Sequence, residues 1–284
     1  MQYKFALIGY PLSHSLSKVI QEAALKAAGL NGSYDILETR AEDLVSRIKY
    51  LRTNGYNGFN VTIPLKVPAA LFLSSADNIA DTAGCVNTIK INEDYALAGY
   101  NTDVYGFTEA MPDILRSEIS GSKTAVLGNG GAARAAGTAL ALMNVSCIDF
   151  YVRNIINASN MADILRKNFP EVKINCRQIE SLKTLENYKL LANTTPIGMR
   201  NKAMGISPID ESILKTMDKS SFVYDIVYNP LKTELIKQAE ANGIQTVKGL
   251  DMLIYQGAKA FEIWTGIKPD VLKMKIAALE ELAS

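Results

Sequence analysis

The chain has little of what metal, redox or membrane chemistry would need. It contains one histidine, His14, and three cysteines, Cys85, Cys147 and Cys176, in 284 residues. The cysteine number is odd and the spacings fit no zinc or redox pattern, so they read as buried small hydrophobes in a reducing compartment. With no second histidine and no clustered cysteines, no metal site is expected. No apolar run approaches the roughly 20 residues that cross a membrane, and the N-terminal apolar segment breaks at Gly9, too early for a signal peptide. An excess of one charge is missing too. Thirty Lys and Arg stand against 29 Asp and Glu, a net charge of +1, which excludes bulk electrostatic attraction to nucleic acid or a membrane surface. No repeat recurs at a fixed period, and no segment is of low complexity. What is present is 48% hydrophobic and 21% charged residues, enough for a real core, at a length that suits one large or two ordinary domains. The expectation is a soluble cytoplasmic protein, with no nucleic acid and no membrane as partner.

The most informative stretch is residues 123–136. An apolar run, Ala125 to Leu127, stops at Gly128, and a small-residue helical pattern begins at Ala132. Strand, tight turn and helix in that order are the context that a G-x-G-x-x-G/A fingerprint requires. Gly128 allows the turn, Gly130 lets backbone approach a pyrophosphate, and Ala133 stands at the third glycine position. Unpaired N–H groups at the helix start can hold phosphate oxygens. Short glycine patterns also serve as plain strand-to-helix joints, so the turn alone leaves both readings open.

Along the chain, residues 5–8 read as a strand, 9–17 as a loop by their Gly, Pro and Ser content, and 19–28 as a helix with Ser17 as N-cap. Strands are expected at 34–37 and 58–64, with a helix over 44–51 between them. Residues 86–91 and 96–100 form a hairpin pattern around Asn92-Glu93-Asp94. This implies a mostly parallel sheet covered by helices. Residues 104–115 look helical, with Pro112 imposing a kink or an early stop. Beyond the glycine turn come strands at 147–152, 172–176, 190–193, 222–227 and 245–247, with helices at 161–168 and 233–241. The alternation is that of a doubly wound sheet. Amphipathic helices at 250–264 and 269–282 close the chain. The fold class is therefore α/β with two domains: residues 1–104 as one, 105–249 as a Rossmann-type nucleotide domain, followed by the terminal helices over 250–284.

Several side chains could carry chemistry. Lys66 lies just past a strand, where parallel sheets gather ligand-binding residues, although a lone lysine there also reads as a solvated charge. Asp103 precedes a helical run and reads either as a helix N-cap or as an acid–base group. Together the two could flank one reacting hydroxyl, which suits proton transfer coupled to hydride transfer. Ser15 and Ser17, ahead of a helix, suit either a carboxylate ligand or capping. His14 reads as a structural loop residue or an acid–base group. After the second strand of the nucleotide domain stands Arg153, with no acid beside it. That favours a 2′-phosphate and hence NADP over NAD. If the strand were shorter, Asp149 would be the ribose acid instead.

These motifs stand in a recognisable order. They include His14-Ser15-Leu16-Ser17, Asn60-Val61-Thr62-Ile63-Pro64-Leu65-Lys66, Gly84-Cys85-Val86-Asn87-Thr88 and Gly99-Tyr100-Asn101-Thr102-Asp103. The glycine turn, Asn193-Thr194-Thr195-Pro196-Ile197-Gly198-Met199, Asp225-Ile226-Val227-Tyr228-Asn229-Pro230 and Gly249-Leu250-Asp251-Met252-Leu253 with Gln256-Gly257-Ala258 complete the set. In this the chain resembles the shikimate dehydrogenases over essentially its whole length. The resemblance implies reversible reduction of 3-dehydroshikimate to shikimate with NADP. Lys66 and Asp103 would flank the carbonyl, and Ser15 and Ser17 would hold the substrate carboxylate. Thr62, Asn87 and Gln256 would bond ring hydroxyls, and Asn60 and Tyr228 would line the pocket. Gly128, Asn129, Gly130, Gly131, Ala132, Ala133, Arg153 and Asn154, with Thr194, Thr195, Met199, Ile226 and Gly249, would hold the cofactor. The terminal helices would return to the first domain.

There are departures from the family pattern. Lys18, Gln21 and Glu22 replace the usual Pro and His-Asn, and the basic residue usual at the adenine end is Asn157. A quinate/shikimate dehydrogenase using NAD, a folate-linked methylene dehydrogenase and a non-catalytic binding module remain as alternatives. The paired serines and Thr62 favour shikimate over quinate, and the serine loop disfavours folate. The set Lys66, Asn87 and Asp103 disfavours a pure binder. A monomer or a homodimer fits equally.

Overall fold

The computed structural model describes residues 2–13, 15–200 and 202–284. The chain forms two compact units, Met1–Gly106 with Ile254–Ser284, and Phe107–Leu253. Each is built on its own six-stranded sheet.

The first unit holds β1 (Tyr3–Gly9), β2 (Gly32–Glu38), β3 (Gly58–Val61), β4 (Ser75–Ala76), β5 (Thr88–Ile91) and β6 (Leu97–Tyr100), in the spatial order β2-β1-β3-β5-β6-β4. The β1·β2, β1·β3 and β4·β6 pairings are parallel, while β3·β5 and β5·β6 are antiparallel. The second unit holds β7 (Lys123–Leu127), β8 (Cys147–Val152), β9 (Lys173–Gln178), β10 (Leu190–Asn193), β11 (Phe222–Asp225) and β12 (Gln245–Lys248). Their order is β12-β11-β10-β7-β8-β9 and every pairing is parallel. Counted within that unit, the strands run 6-5-4-1-2-3, the order of a dinucleotide-binding sheet. The α/β reading with a doubly wound second sheet is thus borne out.

Several local expectations change. Ser17 is not an N-cap: it is the first residue of the helix Ser17–Ala27, whose N-cap position is Leu16 with no side-chain cap. β3 stops at Val61, not at Pro64, because the chain turns at Ile63-Pro64 and a proline has no N–H to give a ladder. Pro112 does end a helix: Thr102–Glu109 stops before it, and Asp113–Glu118 starts directly after it. The helix expected at 161–168 begins earlier, at Ile155–Asn168, because the Asn154 side chain caps it by accepting from Asn157 N. β4 and the helix Asn78–Ala83 carry too short an apolar pattern to announce themselves.

In the first unit one indole packs on the sheet. Trp264, near the end of the helix Gly249–Thr265, stacks on Phe5 with ring centroids 4.5 Å apart and donates its indole N–H to Ile89 O at 3.0 Å. Gly58 makes room, since a Cβ there would collide with the indole. In the second unit Asp149 is fully buried on β8. Its carboxylate accepts from the Tyr188 hydroxyl at 2.5 Å and from Asn175 Nδ2 at 2.6 Å, with Lys123 Nζ at 3.2 Å and Arg177 Nε at 3.3 Å. Lys123 also lies over the Tyr188 ring. This corrects the alternative of Asp149 as a ribose acid, because β8 runs three residues past it and its oxygens are already engaged.

Burial pushes the Asp149 carboxyl up, but the bonds from Tyr188, Asn175 and Lys123 outweigh it and hold the pKa at about 2. A folded pKa below the unfolded value stabilises the fold above about pH 4, and that stabilisation is lost as pH falls toward 2. Asp149→Asn should therefore cost on the order of 2 kcal/mol at pH 7 by urea unfolding. The gap to the parent should close between pH 4 and pH 2. A gap independent of pH would contradict this.

Candidate active site

In the first unit three chain segments meet at one edge of the sheet for topological reasons. Parallel β3 ends there and leads to Lys66. β6 also ends there and leads into the helix that carries Asp103. β5 runs the other way, so the residue before it, Asn87, lies at the same edge. The pairing of Thr88 with both Asn60 and Tyr100 fixes this register.

Lys66 Nζ donates to Asp103 Oδ2 at 2.5 Å. Both side chains are largely withdrawn from water, at 15% and 7% exposure, so each charge depends on the other. Asn87 supports the pair. Its Nδ2 shares two hydrogens among Asp103 Oδ1 at 2.8 Å, Thr102 Oγ1 at 2.9 Å and Gln256 Oε1 at 3.3 Å. Its Oδ1 accepts from Thr102 N at 2.7 Å, which fixes the amide orientation. The structure thus brings Lys66, Asp103, Asn87 and Gln256 together, in an arrangement that can hold one oxygen and move its proton.

The network continues toward the serine loop. Asn60 is buried and donates to Asn87 O at 3.1 Å and Thr88 Oγ1 at 2.9 Å. Its Oδ1 accepts from the Tyr34 hydroxyl at 2.7 Å, and that hydroxyl also bonds the Ser17 side chain. Ser15 Oγ donates to Ser17 Oγ at 3.1 Å. Thr62 caps the turn after β3, where its carbonyl accepts from Leu65 N at 2.8 Å. Tyr34, Thr88 and Thr102 escape sequence reading. A tyrosine inside an apolar strand looks like core, and complete burial, which raises its phenol pKa, keeps it a neutral donor. His14 lies outside the described residues. Tyr228 belongs to the second unit.

In the second unit the carboxyl ends of β7, β10 and β11 align at Leu127, Asn193 and Asp225. Gly128 has φ +112°, and a Cβ there would stand 2.9 Å from Thr194 Oγ1, so glycine is required. Gly130 is different: a Cβ there would meet nothing within 4 Å. Gly131, Ala132 and Ala133 open the helix Gly131–Leu142, whose N-cap, Gly130, gives no side-chain cap. Asn129 lies between the two turn glycines, and Thr194 Oγ1 donates to Leu127 O at 2.6 Å. Arg153 and Asn154 are exposed just past β8. Thr195 and Met199 are half-buried on the loop after β10, and Ile226 follows β11. Gly249 is buried where a Cβ would collide with the Ile226 carbonyl, so packing alone demands it. Among the described residues no cluster of His, Cys, Asp and Glu is placed to hold a metal ion, and no helix is long and apolar enough to cross a membrane.

Comparison with known proteins adds the following. The model of the shikimate dehydrogenase substrate binding domain matches residues 7–89, and that of the shikimate 5′-dehydrogenase C-terminal domain matches residues 249–279. A shikimate dehydrogenase (NADP(+)) of Archaeoglobus fulgidus is 38% identical over 277 residues, covering 97% of each chain. One from Caldanaerobacter subterraneus subsp. tengcongensis is 37% identical over 262 residues, covering 92% of this chain and 91% of its own. Among solved structures, a shikimate dehydrogenase in complex with NADP+ superposes with TM-score 0.88 at 35% identity, covering 100% of this chain and 96% of that one. The Thermus thermophilus shikimate 5-dehydrogenase in complex with NADP(H) and shikimate gives 0.83 at 33% identity, covering 98% and 99%.

Replacing Tyr34 by Phe leaves Asn60 Oδ1 buried without its donor. The expected loss of unfolding free energy is about 1–3 kcal/mol in denaturant titration. Unchanged stability would show that the hydroxyl bond is not formed.

Proposed function

The chain belongs to the shikimate dehydrogenase family, and from that membership we propose that it carries out the reversible NADP-dependent reduction of 3-dehydroshikimate to shikimate, in the route to chorismate and the aromatic amino acids. The observation that carries the reading is the Lys66–Asp103 pair, 2.5 Å apart and oriented by Asn87. Hydride arrival at a ketone builds negative charge on its oxygen. The Lys66 ammonium has three donors and uses one on Asp103, so others are left to stabilise that oxygen and supply its proton. In the oxidative direction the same pair takes the hydroxyl proton.

Substrate binding belongs to residues 1–104 and 250–284. Ser15 and Ser17, adjacent hydroxyls at the start of an 11-residue helix, suit the ring carboxylate through their O–H groups and the helix N-terminus. Thr62, Asn87 and Gln256 take ring hydroxyls, and Asn60 lines the pocket. Cofactor binding belongs to residues 105–249. NADP, when bound, supplies or accepts the hydride. The turn from Gly128 to Ala133 suits its pyrophosphate, and Arg153 with Asn154 its 2′-phosphate and ribose. Thr194, Thr195, Met199, Ile226 and Gly249 line the rest. A cytoplasmic enzyme acting on small molecules as a monomer or homodimer completes the proposal.

Lys66→Ala should lower kcat by about a thousandfold and leave NADP affinity, read by fluorescence titration, nearly unchanged. Equal loss of both would count against the assignment. Initial rates with NADP should exceed those with NAD. A clear preference for NAD would overturn the role given to Arg153.

A further inference from the structure

Asp225 is a buried carboxylate that the reaction above does not use. It ends β11 directly beside Asn193, the end of β10. The two lie next to the point where strand order reverses between β7 and β10, which is where sheets of this kind receive a nucleotide. Its side chain is fully buried, and all three of its donors are neutral. Thr233 Oγ1 donates at 2.6 Å, Asn193 Nδ2 at 2.9 Å and Val227 N at 3.1 Å.

Each donor belongs to a different piece of the carboxyl edge. Val227 follows β11. Thr233 caps the helix Glu234–Ala241, and its Oγ1 also accepts from Ile236 N. Asn193 governs the loop after β10. Its Oδ1 accepts from Thr195 N at 3.1 Å and Thr195 Oγ1 at 2.7 Å, and its Nδ2 also reaches Ile197 O at 3.2 Å. An amide can present either end to a neighbour. The acceptor at 225 holds the NH2 of Asn193 toward β11, in the same sense as the Thr195 N–H and the Ile197 carbonyl hold its amide toward the loop. The adjacent Thr194 then ties the loop to Leu127, the residue before the glycine turn. Burial pushes the Asp225 carboxyl up to about 6, with the bonds from Thr233, Val227 and Asn193 holding it down, so at neutral pH it is the pure acceptor this geometry needs.

We propose that Asp225 is a positioning residue for the cofactor: by orienting Asn193 and holding Val227 and Thr233, it sets the loops after β10 and β11 in the shape that takes NADP. The inference rests on the NADP reading given above. Asp225→Asn exchanges one of the two acceptor oxygens for an NH2 donor at equal size, and Asn193→Ala removes the relay. Both variants are compared with the parent for NADP affinity by titration, and for kcat and both KM values. Thermal melting checks that each is folded.

Each variant is expected to weaken NADP binding and raise KM for NADP by about tenfold. KM for shikimate and kcat at saturating NADP should stay within about twofold, and the double variant should be no worse than either single one. Thr233→Ser, which keeps the hydroxyl, should behave as the parent. If Asp225→Asn does not fold, Asn193→Ala carries the test. Unchanged NADP affinity in a folded variant, or a common fall in kcat with a rise in both KM values, overturns the proposal. A parent chain that does not bind NADP overturns the cofactor reading itself, which the parent titration shows separately.

Discussion

An ammonium and a carboxylate held largely out of water are the constraint on which the first unit depends. Neither charge is tolerable there alone, and the cost of withdrawing either from solvent is offset only if geometry and the remaining hydrogen bonds are good. Asp103 meets that condition with one oxygen on Lys66 and the other on Asn87. Asn87 meets it in turn because the Thr102 N–H fixes which end of its amide faces the acid. Reversing one strand, β5, in an otherwise parallel arrangement of neighbours puts that asparagine at the edge where β3 and β6 end. The mixed sheet is therefore what assembles the site.

The two buried aspartates of the second unit show how the same residue type serves different ends. Asp149 sits inside β8 beside two cations and two neutral donors, and its charge is stabilised outright. Asp225 has only neutral donors, and its pKa rises. The first fits a group that holds strands together. The second costs stability at neutral pH, since its carboxyl gives up its proton less readily folded than unfolded. A residue kept at such a cost, at the strand ends where a nucleotide would lie, fits a part in binding.

Much of this was legible from the residues. β8 and β10 stand at the expected bounds because buried parallel strands are continuous apolar runs. The glycine turn was legible because its physics is local: a positive φ at Gly128 and open space at Gly130. What could not be read is long-range. Tyr34 is an ordinary core aromatic until Asn60 and Ser17 are folded against it. The capping role of Ser17 fails because Leu16 takes that position, a difference of one residue in where the helix begins. Asp149 looked available near a strand end until Tyr188, 39 residues on, proved to be its partner. Lys66 and Asp103 were each ambiguous alone, and only their separation in space distinguishes a pair from two surface charges.

The most direct test of that pair is a double-mutant cycle on kcat/KM with Lys66→Met, Asp103→Asn and the combined variant, measured by NADPH absorbance with shikimate and NADP. If the two side chains act as one unit, the combined variant should be about as slow as the slower single one. Losses that simply multiply would mean that the two groups work independently, and would contradict the account.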